Sequence, residues 1–348
     1  MNIKNEPTDL SHLVNLFDFE KEAAKRMSTL AYEYVASGAG DEVTLGWNRR
    51  AFDDIKLNPS VLVDVSKLDT SVSLFGQNMA YPILVAPTAY HKLTHPEGEI
   101  GTARGAGNAA TTYIISSYTT TLLEDIAAAA TQPLWFQMYV RDDREKTKDI
   151  IQKAESLGCK ALIITVDTPV AGTRNREQRI NFKLPETLHG PYILDQPIQQ
   201  KPLTWADMAW VLSFAKTPVL LKGILNPVDA EKAIQIGASG IIVSNHGGRN
   251  LDTVPATIEA LPRIADTVNK RIPILMDGGI RRGTDILKAL ALGANAVLVG
   301  KPVCYGLGCG GAEGVTQVLK ILQTEFEQAM ALVGKAEVGD IDPSVIWH

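Results

Sequence analysis

The feature that most constrains this chain is a series of short apolar runs that recurs from residue 81 onward. Eight runs rich in Val, Ile and Leu occupy residues 81–87, 112–117, 134–140, 161–167, 218–224, 240–246, 273–279 and 296–302. Their apolar residues are continuous rather than alternating, which is typical of parallel strands covered on both faces. Segments of helical length separate most of them. The pattern predicts an α/β fold, a closed (β/α)8 barrel, and favours it over a doubly wound open sheet.

Helix signals between the runs support this alternation. Asp143 is placed to cap a helix over residues 144–158. Asn226 and Pro227 combine an N-cap residue with a proline at the first helical position, and Gly237 is placed to end the same helix.

The whole chain, residues 1–348, is predicted to form a single domain. Residues 1–80 should form a mostly helical extension that covers one end of the barrel, with Gly38 as a helix stop, and residues 81–335 should form the barrel itself. Residues 170–203 form a long polar connection, and a loop of that length is typical of an active-site lid or a disordered segment.

Composition and charge indicate a compact protein with small-molecule partners. The formal net charge is -5, and the basic residues are scattered, which disfavours nucleic acid or an anionic membrane as a partner. The three cysteines have no metal-ligand spacing, so we expect reduced, buried thiols and no metal. The N-terminus resembles no signal peptide, and no apolar run has the length of a membrane span. We therefore expect a cytoplasmic enzyme.

Polar residues collect at the carboxyl ends of the predicted strands, where the active sites of such barrels lie. They are Thr88, Ser116, Ser117, Gln137, Tyr139, Thr165, Asp167, Lys222, Ser244, His246, Asp277, Gly278, Gly279, Gly300 and Lys301. Any one of them could cap a helix or have a purely structural role. A histidine, two lysines and two carboxylates around one opening instead indicate a catalytic site.

Two glycine-bearing stretches follow the seventh and eighth predicted strands, "DGGIRRGTD" at 277–285 and "VGKP" at 299–302. Barrel proteins commonly bind phosphate at these positions, where backbone N–H groups and a helix N-terminus act as donors. Plain turns are the alternative. No glycine motif of the Rossmann or P-loop type occurs in a suitable context.

Six motifs together resemble the family of FMN-dependent L-2-hydroxy acid oxidases and dehydrogenases, which includes glycolate oxidase, lactate oxidase and mandelate dehydrogenase. They are "YEYVASGAGDE", "PTAYHKLTHPEGE", "WFQMYV", "ITVDTPVAGTRNRE", "SNHGGRNLD" and "DGGIRRGTDILKALALGANAVLVGKP". The resemblance covers about residues 15–335 and is nearest to the soluble lactate and 2-hydroxy acid oxidases. It implies a barrel fold, an FMN cofactor and, as in many members, a homotetramer.

The resemblance also implies roles for individual residues. His246 would be the base that takes the substrate's proton, and Asp167 would stabilise the imidazolium that forms. Arg249 and Arg174 would bind the substrate carboxylate. Tyr34 and Tyr139 would also contact the substrate. Tyr90, Tyr118 and Ala171 would lie around its side chain.

The implied cofactor site comprises the remaining strand-end residues. Lys222 would lie beside the flavin and stabilise its anionic reduced form, and Asp277 would hold the ribityl chain. The other residues implied to surround FMN are Pro87, Thr88, Ala89, Ser116, Gln137, Thr165, Ser244, Gly278, Gly279, Arg281, Gly300 and Lys301.

The chain departs from the family pattern in three places. Lys301 replaces the usual arginine at the phosphate, and Tyr118 stands where many members have a tryptophan. The loop at about 175–203 is shorter than in many relatives and lacks the apolar insertion of the membrane-bound dehydrogenases.

Three functions remain open from the sequence. The first is oxidation of (S)-2-hydroxy acids with O2 as the electron acceptor, giving hydrogen peroxide. The second is a dehydrogenase that passes electrons to a quinone or another acceptor. Small residues at the position of Ala89, beside the flavin, occur in oxidases and in dehydrogenases, so this residue does not separate the two. The third is a phosphate-binding barrel without redox chemistry, which leaves His246, Arg249 and Lys222 without a shared purpose. The substrate could be lactate, glycolate or an aryl acid such as mandelate.

Overall fold

A computed structural model describes residues 9–192 and 202–347 and shows a closed barrel of eight parallel strands. The strands are β3 (Ile83–Val85), β4 (Thr112–Ser116), β5 (Leu134–Met138), β6 (Leu162–Thr165), β7 (Val219–Ile224), β8 (Gly240–Val243), β9 (Ile274–Met276) and β10 (Ala296–Val299). Each strand pairs with its neighbour in the chain, and β10 closes the barrel against β3. The predicted (β/α)8 fold is confirmed.

Helices surround the barrel and precede it. They are α1 (Leu16–Arg26), α2 (Thr29–Ala36), α3 (Val43–Asp54), α4 (His91–Thr94), α5 (Gly98–Asn108), α6 (Leu123–Ala129), α7 (Arg144–Ser156), α8 (Asn175–Arg179), α9 (Trp205–Leu212), α10 (Pro227–Gln235), α11 (Thr257–Val268), α12 (Gly283–Ala291) and α13 (Lys301–Leu332). The last is interrupted at Gly310 and Gly311. Single 3-10 turns occupy Glu186–Leu188, His246–Gly248, Val338–Asp340 and Pro343–Val345. No helix in these described ranges is long and apolar enough to cross a membrane.

The predicted helix signals operate as expected. The Asp143 side chain accepts the backbone N–H of Lys146 at the start of α7. At α10, Asn226 accepts the N–H of Asp229, and the helix begins at Pro227.

Both faces of the barrel strands are buried, which explains the unbroken apolar runs. Alternate residues point into the barrel, where they form one core with Leu84, Ile114, Trp135, Ile163, Leu220, Ile242, Leu275 and Leu298. The intervening residues pack against the surrounding helices in a second and larger core. The interior is filled with side chains, so a ligand can enter only from an end of the barrel.

A small antiparallel hairpin closes the amino end of the barrel. It consists of β1 (Val72–Leu74) and β2 (Gln77–Met79). Phe75 at its turn lies 5.8 Å from the Trp135 ring, and Trp135 Nε1 donates to Gln77 Oε1 at 3.1 Å. The expectation of a mostly helical segment was wrong here, because residues 55–80 contain this hairpin and no helix. Strands of three residues are too short to show a periodic pattern in the sequence.

The helical extension lies at the opposite, carboxyl end of the barrel. The Ser28 side chain caps α2 and separates it from α1, and α2 ends just before Gly38. The α3 helix contacts the turn at His246–Gly248. Residues 1–8 of the extension and 193–201 of the predicted loop lie outside the described residues.

Candidate active site

One cavity opens at the carboxyl ends of the barrel strands, and it brings together most of the predicted site. The predicted residues that line it are Tyr34, Pro87, Thr88, Ala89, Tyr90, Ser116, Tyr118, Gln137, Tyr139, Thr165, Arg174, Lys222, His246, Arg249, Asp277, Gly278, Gly279, Arg281, Gly300 and Lys301. Asp167 and Ser244 lie directly behind this lining, in contact with His246 and Lys222. The expectation for Ala171 was wrong, because this residue is exposed and does not line the cavity.

A strained turn presents His246 to the cavity. His246, Gly247 and Gly248 all have positive φ angles, of 59°, 63° and 72°. A side chain at residue 248 would meet the backbone nitrogen of Leu45 in α3 at 2.9 Å, so this close approach requires glycine. Left-handed backbone at a histidine is uncommon and costs free energy, and such strain clusters at functional sites.

His246 forms a pair with a buried carboxylate. Its Nδ1 lies 3.0 Å from Asp167 Oδ1, and its Nε2 lies 3.4 Å from the Tyr139 hydroxyl. Burial alone would raise the pKa of Asp167, but His246 and Lys222 outweigh burial and hold that pKa below its ordinary value. An ionised Asp167 accepts the Nδ1 proton, which leaves Nε2 as an acceptor that faces the cavity.

A glycine in β7 makes room for this carboxylate. Gly223 has a φ of 112°, and a side chain there would meet Asp167 Cβ at 2.4 Å. The pairing of β7 with β8 shifts register between Lys222 and Ile224, as at a β-bulge. The bulge therefore places Asp167 behind His246.

The depressed pKa of Asp167 makes its contribution to stability depend on pH. Its folded pKa lies below the unfolded value of about 3.8, so the contribution is complete above that value and is lost as the pH falls through the folded pKa. We expect wild type to have the larger unfolding free energy at neutral pH, and its difference from Asp167→Asn to narrow as the pH falls below about 4. Urea unfolding with excess FMN across this range measures both. A difference that stays constant down to about pH 3 would contradict this prediction.

Two arginines converge at the outer side of the cavity. Arg249 Nη1 donates to the backbone oxygens of Tyr34 and Ser37 at 2.7 and 3.0 Å, and its guanidinium lies 5.0 Å from the Tyr34 ring centre. Arg174 Nε contacts the backbone oxygen of Arg249 at 3.4 Å. Between the guanidinium groups lies a carboxylate that the sequence did not predict, Glu177.

A continuous series of aromatic rings forms another wall. The ring centres of Phe182 and Tyr34 are 5.0 Å apart, those of Tyr34 and Tyr90 5.6 Å, those of Tyr90 and Tyr118 5.8 Å, and those of Tyr118 and Tyr139 5.3 Å. Burial raises the pKa of all four tyrosines, so their hydroxyl groups stay protonated at neutral pH. The wall combines apolar faces with hydrogen-bonding hydroxyls.

A chain of polar side chains lines the inner part of the cavity. Ser116 Oγ donates to Gln137 Oε1 at 3.2 Å, and Gln137 Nε2 donates to Thr165 Oγ1 at 2.9 Å. Lys222 Nζ lies 3.0 Å from Asp277 Oδ2. Burial alone would lower the pKa of Lys222, but Asp277 and Asp167 outweigh burial and raise it, so the lysine is a fixed cation. Asp277 Oδ1 is buried and has no hydrogen-bond partner among the described residues.

Cations and tight glycines occupy the far end of the cavity. Lys301 Nζ contacts the backbone oxygens of Ala36 and Ser37 at 2.9 and 3.1 Å. Burial, together with Arg249 and Arg281, lowers the pKa of Lys301 well below its ordinary value. Like charges held together and out of water favour a bound anion, which would relieve their repulsion. The start of α13 at Lys301 adds the positive end of a helix dipole.

Fold and site together define a barrel enzyme with a histidine–carboxylate pair and an anion-binding end. Comparison with known proteins agrees with this class. The model of the FMN-dependent dehydrogenase family matches residues 23–348. The chain belongs to this family, and its cofactor is FMN.

Characterised relatives cover almost the whole chain. A 2-hydroxyacid oxidase of Dictyostelium discoideum is 45% identical, over 97% of this chain and 91% of the relative. An L-lactate oxidase of Nostoc sp. is 44% identical, over 97% of this chain and 99% of the relative. A solved structure of a mandelate oxidase variant with (S)-mandelic acid superposes with a TM-score of 0.91 at 40% identity, over 96% of this chain and 98% of that one.

The residues present fit FMN. The unpartnered Asp277 Oδ1 is a buried acceptor that a ribityl hydroxyl can satisfy. Gly279 leaves no room for a side chain, because a Cβ there would meet the Asn48 backbone oxygen at 1.9 Å. The cations around Lys301 suit a phosphate.

Sequence reasoning missed several residues of the cavity. They are Val35, Leu45, Asn48, Arg49, Glu177, Phe182, Leu298 and Cys304. Many lie on the N-terminal helices or on the segment after β6, where only tertiary packing brings them to the barrel. Glu177 carried the one usable signal, since it follows Arg174 at the spacing of a helical ion pair.

Proposed function

We propose that this protein is an FMN-dependent oxidase of (S)-2-hydroxy acids, which yields a 2-oxo acid and passes the electrons to O2 to give hydrogen peroxide. One observation carries the proposal. The His246–Asp167 pair faces the same cavity as Arg174 and Arg249, next to Lys222. A base, a carboxylate-binding pair and a fixed cation within one cavity match the needs of a carboxylate substrate that gives one proton to a base and a second proton with two electrons to an acceptor.

Each of these residues has a defined task in the proposed reaction. His246 Nε2 takes a proton from the substrate, and Asp167 stabilises the imidazolium that results. The free N–H groups of Arg174 and Arg249 bind the carboxylate, and guanidinium suits it better than ammonium. FMN, when bound, would supply the acceptor for the two electrons and the second proton that leave the substrate.

Aromatic hydroxyls orient the substrate. Tyr139 lies beside His246 Nε2, so its phenol is placed to hydrogen-bond the hydroxyl that reacts. Tyr34 flanks Arg249 at the carboxylate. Tyr118 and Tyr90 form the wall next to the substrate's side chain, which suits lactate, glycolate or a mandelate-like acid.

The inner residues hold the cofactor. Lys222 supplies a fixed positive charge next to the flavin ring. The proposed hydrogen-bonding and backbone contacts to the ring come from Pro87, Thr88, Ala89, Ser116, Gln137, Thr165 and Ser244. Those to the ribityl chain and phosphate come from Asp277, Gly278, Gly279, Arg281, Gly300 and Lys301.

Anaerobic mixing tests the reductive step. We expect the FMN-loaded protein to lose its flavin absorbance on addition of L-lactate, glycolate or (S)-mandelate, and to regain it on exposure to O2. Fast reoxidation by a quinone with negligible reaction with O2 would replace the oxidase by a dehydrogenase. A protein that stays colourless with FMN, or keeps its absorbance with every acid, would contradict both and leave a phosphate-binding barrel.

We further propose that the protein acts in the cytoplasm as a homotetramer. The free and buried state of its cysteines supports a reducing compartment. The tetramer is supported by the family resemblance of the chain.

A further inference from the structure

The substrate end of the cavity contains a carboxylate of the protein itself, Glu177. Arg174 Nη1 lies 3.1 Å from Glu177 Oε2, and Arg249 Nη2 lies 3.1 Å from Oε1. Ser37 Oγ also donates to Oε1 at 2.9 Å. Glu177 is largely buried, with 12% of its side chain exposed, and it lines the cavity. It is thus the shared counter-ion of both arginines.

Glu177 leaves each arginine with an edge for a second anion. Arg174 uses Nη1 for Glu177, and its Nη2 has no hydrogen-bond partner in the described part of the chain. Arg249 gives Nη1 to backbone oxygens and Nη2 to Glu177, while its Nε has no hydrogen-bond partner among the same residues. A substrate carboxylate therefore binds beside Glu177 rather than displacing it.

The charges at this end of the cavity can be counted. Two guanidinium groups and one carboxylate leave a single positive charge. Asp167 pairs with His246. Lys301 donates to the same Ser37 backbone oxygen as Arg249, and in the FMN-loaded protein the phosphate offsets its charge. One carboxylate of a ligand neutralises the remaining charge, and a second carboxylate finds no further positive charge within this group of Arg174, Arg249 and Glu177. In a poorly solvated site an uncompensated charge is costly.

We propose that Glu177 is a specificity-determining residue, which sets the charge of the substrate site so that it selects monocarboxylate over dicarboxylate acids. The inference rests on the proposed function, because it takes Arg174 and Arg249 as the site of the substrate carboxylate. The proposed selection acts on ligand binding alone, so it can be tested without catalytic turnover.

The Glu177→Gln variant separates charge from shape. The amide keeps the size of the side chain and one acceptor oxygen, and Arg249 stays held by Tyr34 and Ser37. The site then has two positive charges. We expect the ratio of the malonate to the propionate dissociation constant to fall by about tenfold or more in Glu177→Gln, in favour of the dianion.

The test uses isothermal titration of the oxidised FMN-loaded protein with malonate and with propionate, neither of which has a hydroxyl to oxidise. Glu177→Ala removes the same charge and is measured alongside, in case one variant does not fold. Glu177→Asp restores the charge and should keep the wild-type ratio. Glu33→Gln is the matched control, because Glu33 pairs with Arg176 and does not line the cavity.

An unchanged ratio in both charge-removing variants overturns the proposal. This includes a parallel rise of both dissociation constants, which would mean that Glu177 only holds the arginines in position. If no hydroxy acid reduces the flavin, the proposed function fails, but the ratio still decides whether Glu177 selects by charge.

Discussion

Replacement of His246 by glutamine is expected to lower the rate of flavin reduction by a hydroxy acid by about 10³-fold, while the protein still binds FMN. A positioned general base contributes roughly 10²–10⁴-fold to a reaction rate. Glutamine has no group that accepts and holds a proton at neutral pH. Its amide can still donate to Asp167, so the buried carboxylate keeps a donor and the fold should survive.

Two measurements check this prediction. Anaerobic stopped-flow absorbance gives the reduction rate, and the visible spectrum gives the flavin content. His12→Gln is the control, since His12 is exposed on the N-terminal segment. Near-normal reduction by His246→Gln would remove His246 from the role of base. Loss of FMN from this variant would mean that His246 also supports the cofactor site.

The strand-end residues could be predicted because parallel strands in a barrel all end at the same face. Once the eight apolar runs were recognised, His246, Lys222 and Asp277 had to meet around one opening. The structure places them there, with Lys222 paired to Asp277. Here local pattern and topology together determine position, so no knowledge of side-chain packing was needed.

Glu177 illustrates what the pattern could not supply. It lies on the short helix α8, where charged residues are typical of a solvent-exposed face. Glu177 becomes buried because the segment between β6 and α8 packs closely on the segment that follows β8. A side chain at Gly172 would meet the Asn250 backbone oxygen at 2.3 Å. Such a contact between distant segments leaves no periodic trace in the sequence.

The bulge at Gly223 was hidden for a related reason. The run "PVLLKGI" reads as one regular strand, and a glycine within it has several meanings. Only the distance to Asp167 shows that a side chain at this position would displace the partner of His246. The run thus predicted the strand correctly but did not predict the β-bulge at Gly223 that makes room for Asp167.

Gly279 offers the sharpest test of how the fold forms the cofactor site, because Gly279→Ala is expected to be both strongly destabilising and deficient in FMN. Its φ is 80°, and an added Cβ would lie 1.9 Å from the Asn48 backbone oxygen in α3. Backbone cannot move aside as a flexible side chain can, so α3 must shift away from the loop after β9. Asn48 also bonds Asn245 at 2.9 Å, beside His246, so this shift would disturb both ends of the cavity.

Gly237→Ala is the matched control for this variant. Gly237 has a φ of 87°, and a Cβ there would meet no atom of the described chain within 4 Å. The Gly237→Ala substitution should therefore lower the unfolding free energy only by the roughly 1–2 kcal/mol that a left-handed backbone costs alanine, and it should leave FMN binding unchanged. Urea unfolding and the ratio of flavin to protein absorbance measure the two effects. If both variants lose the same stability and keep FMN, the cofactor site does not depend on the close approach of α3 to Gly279.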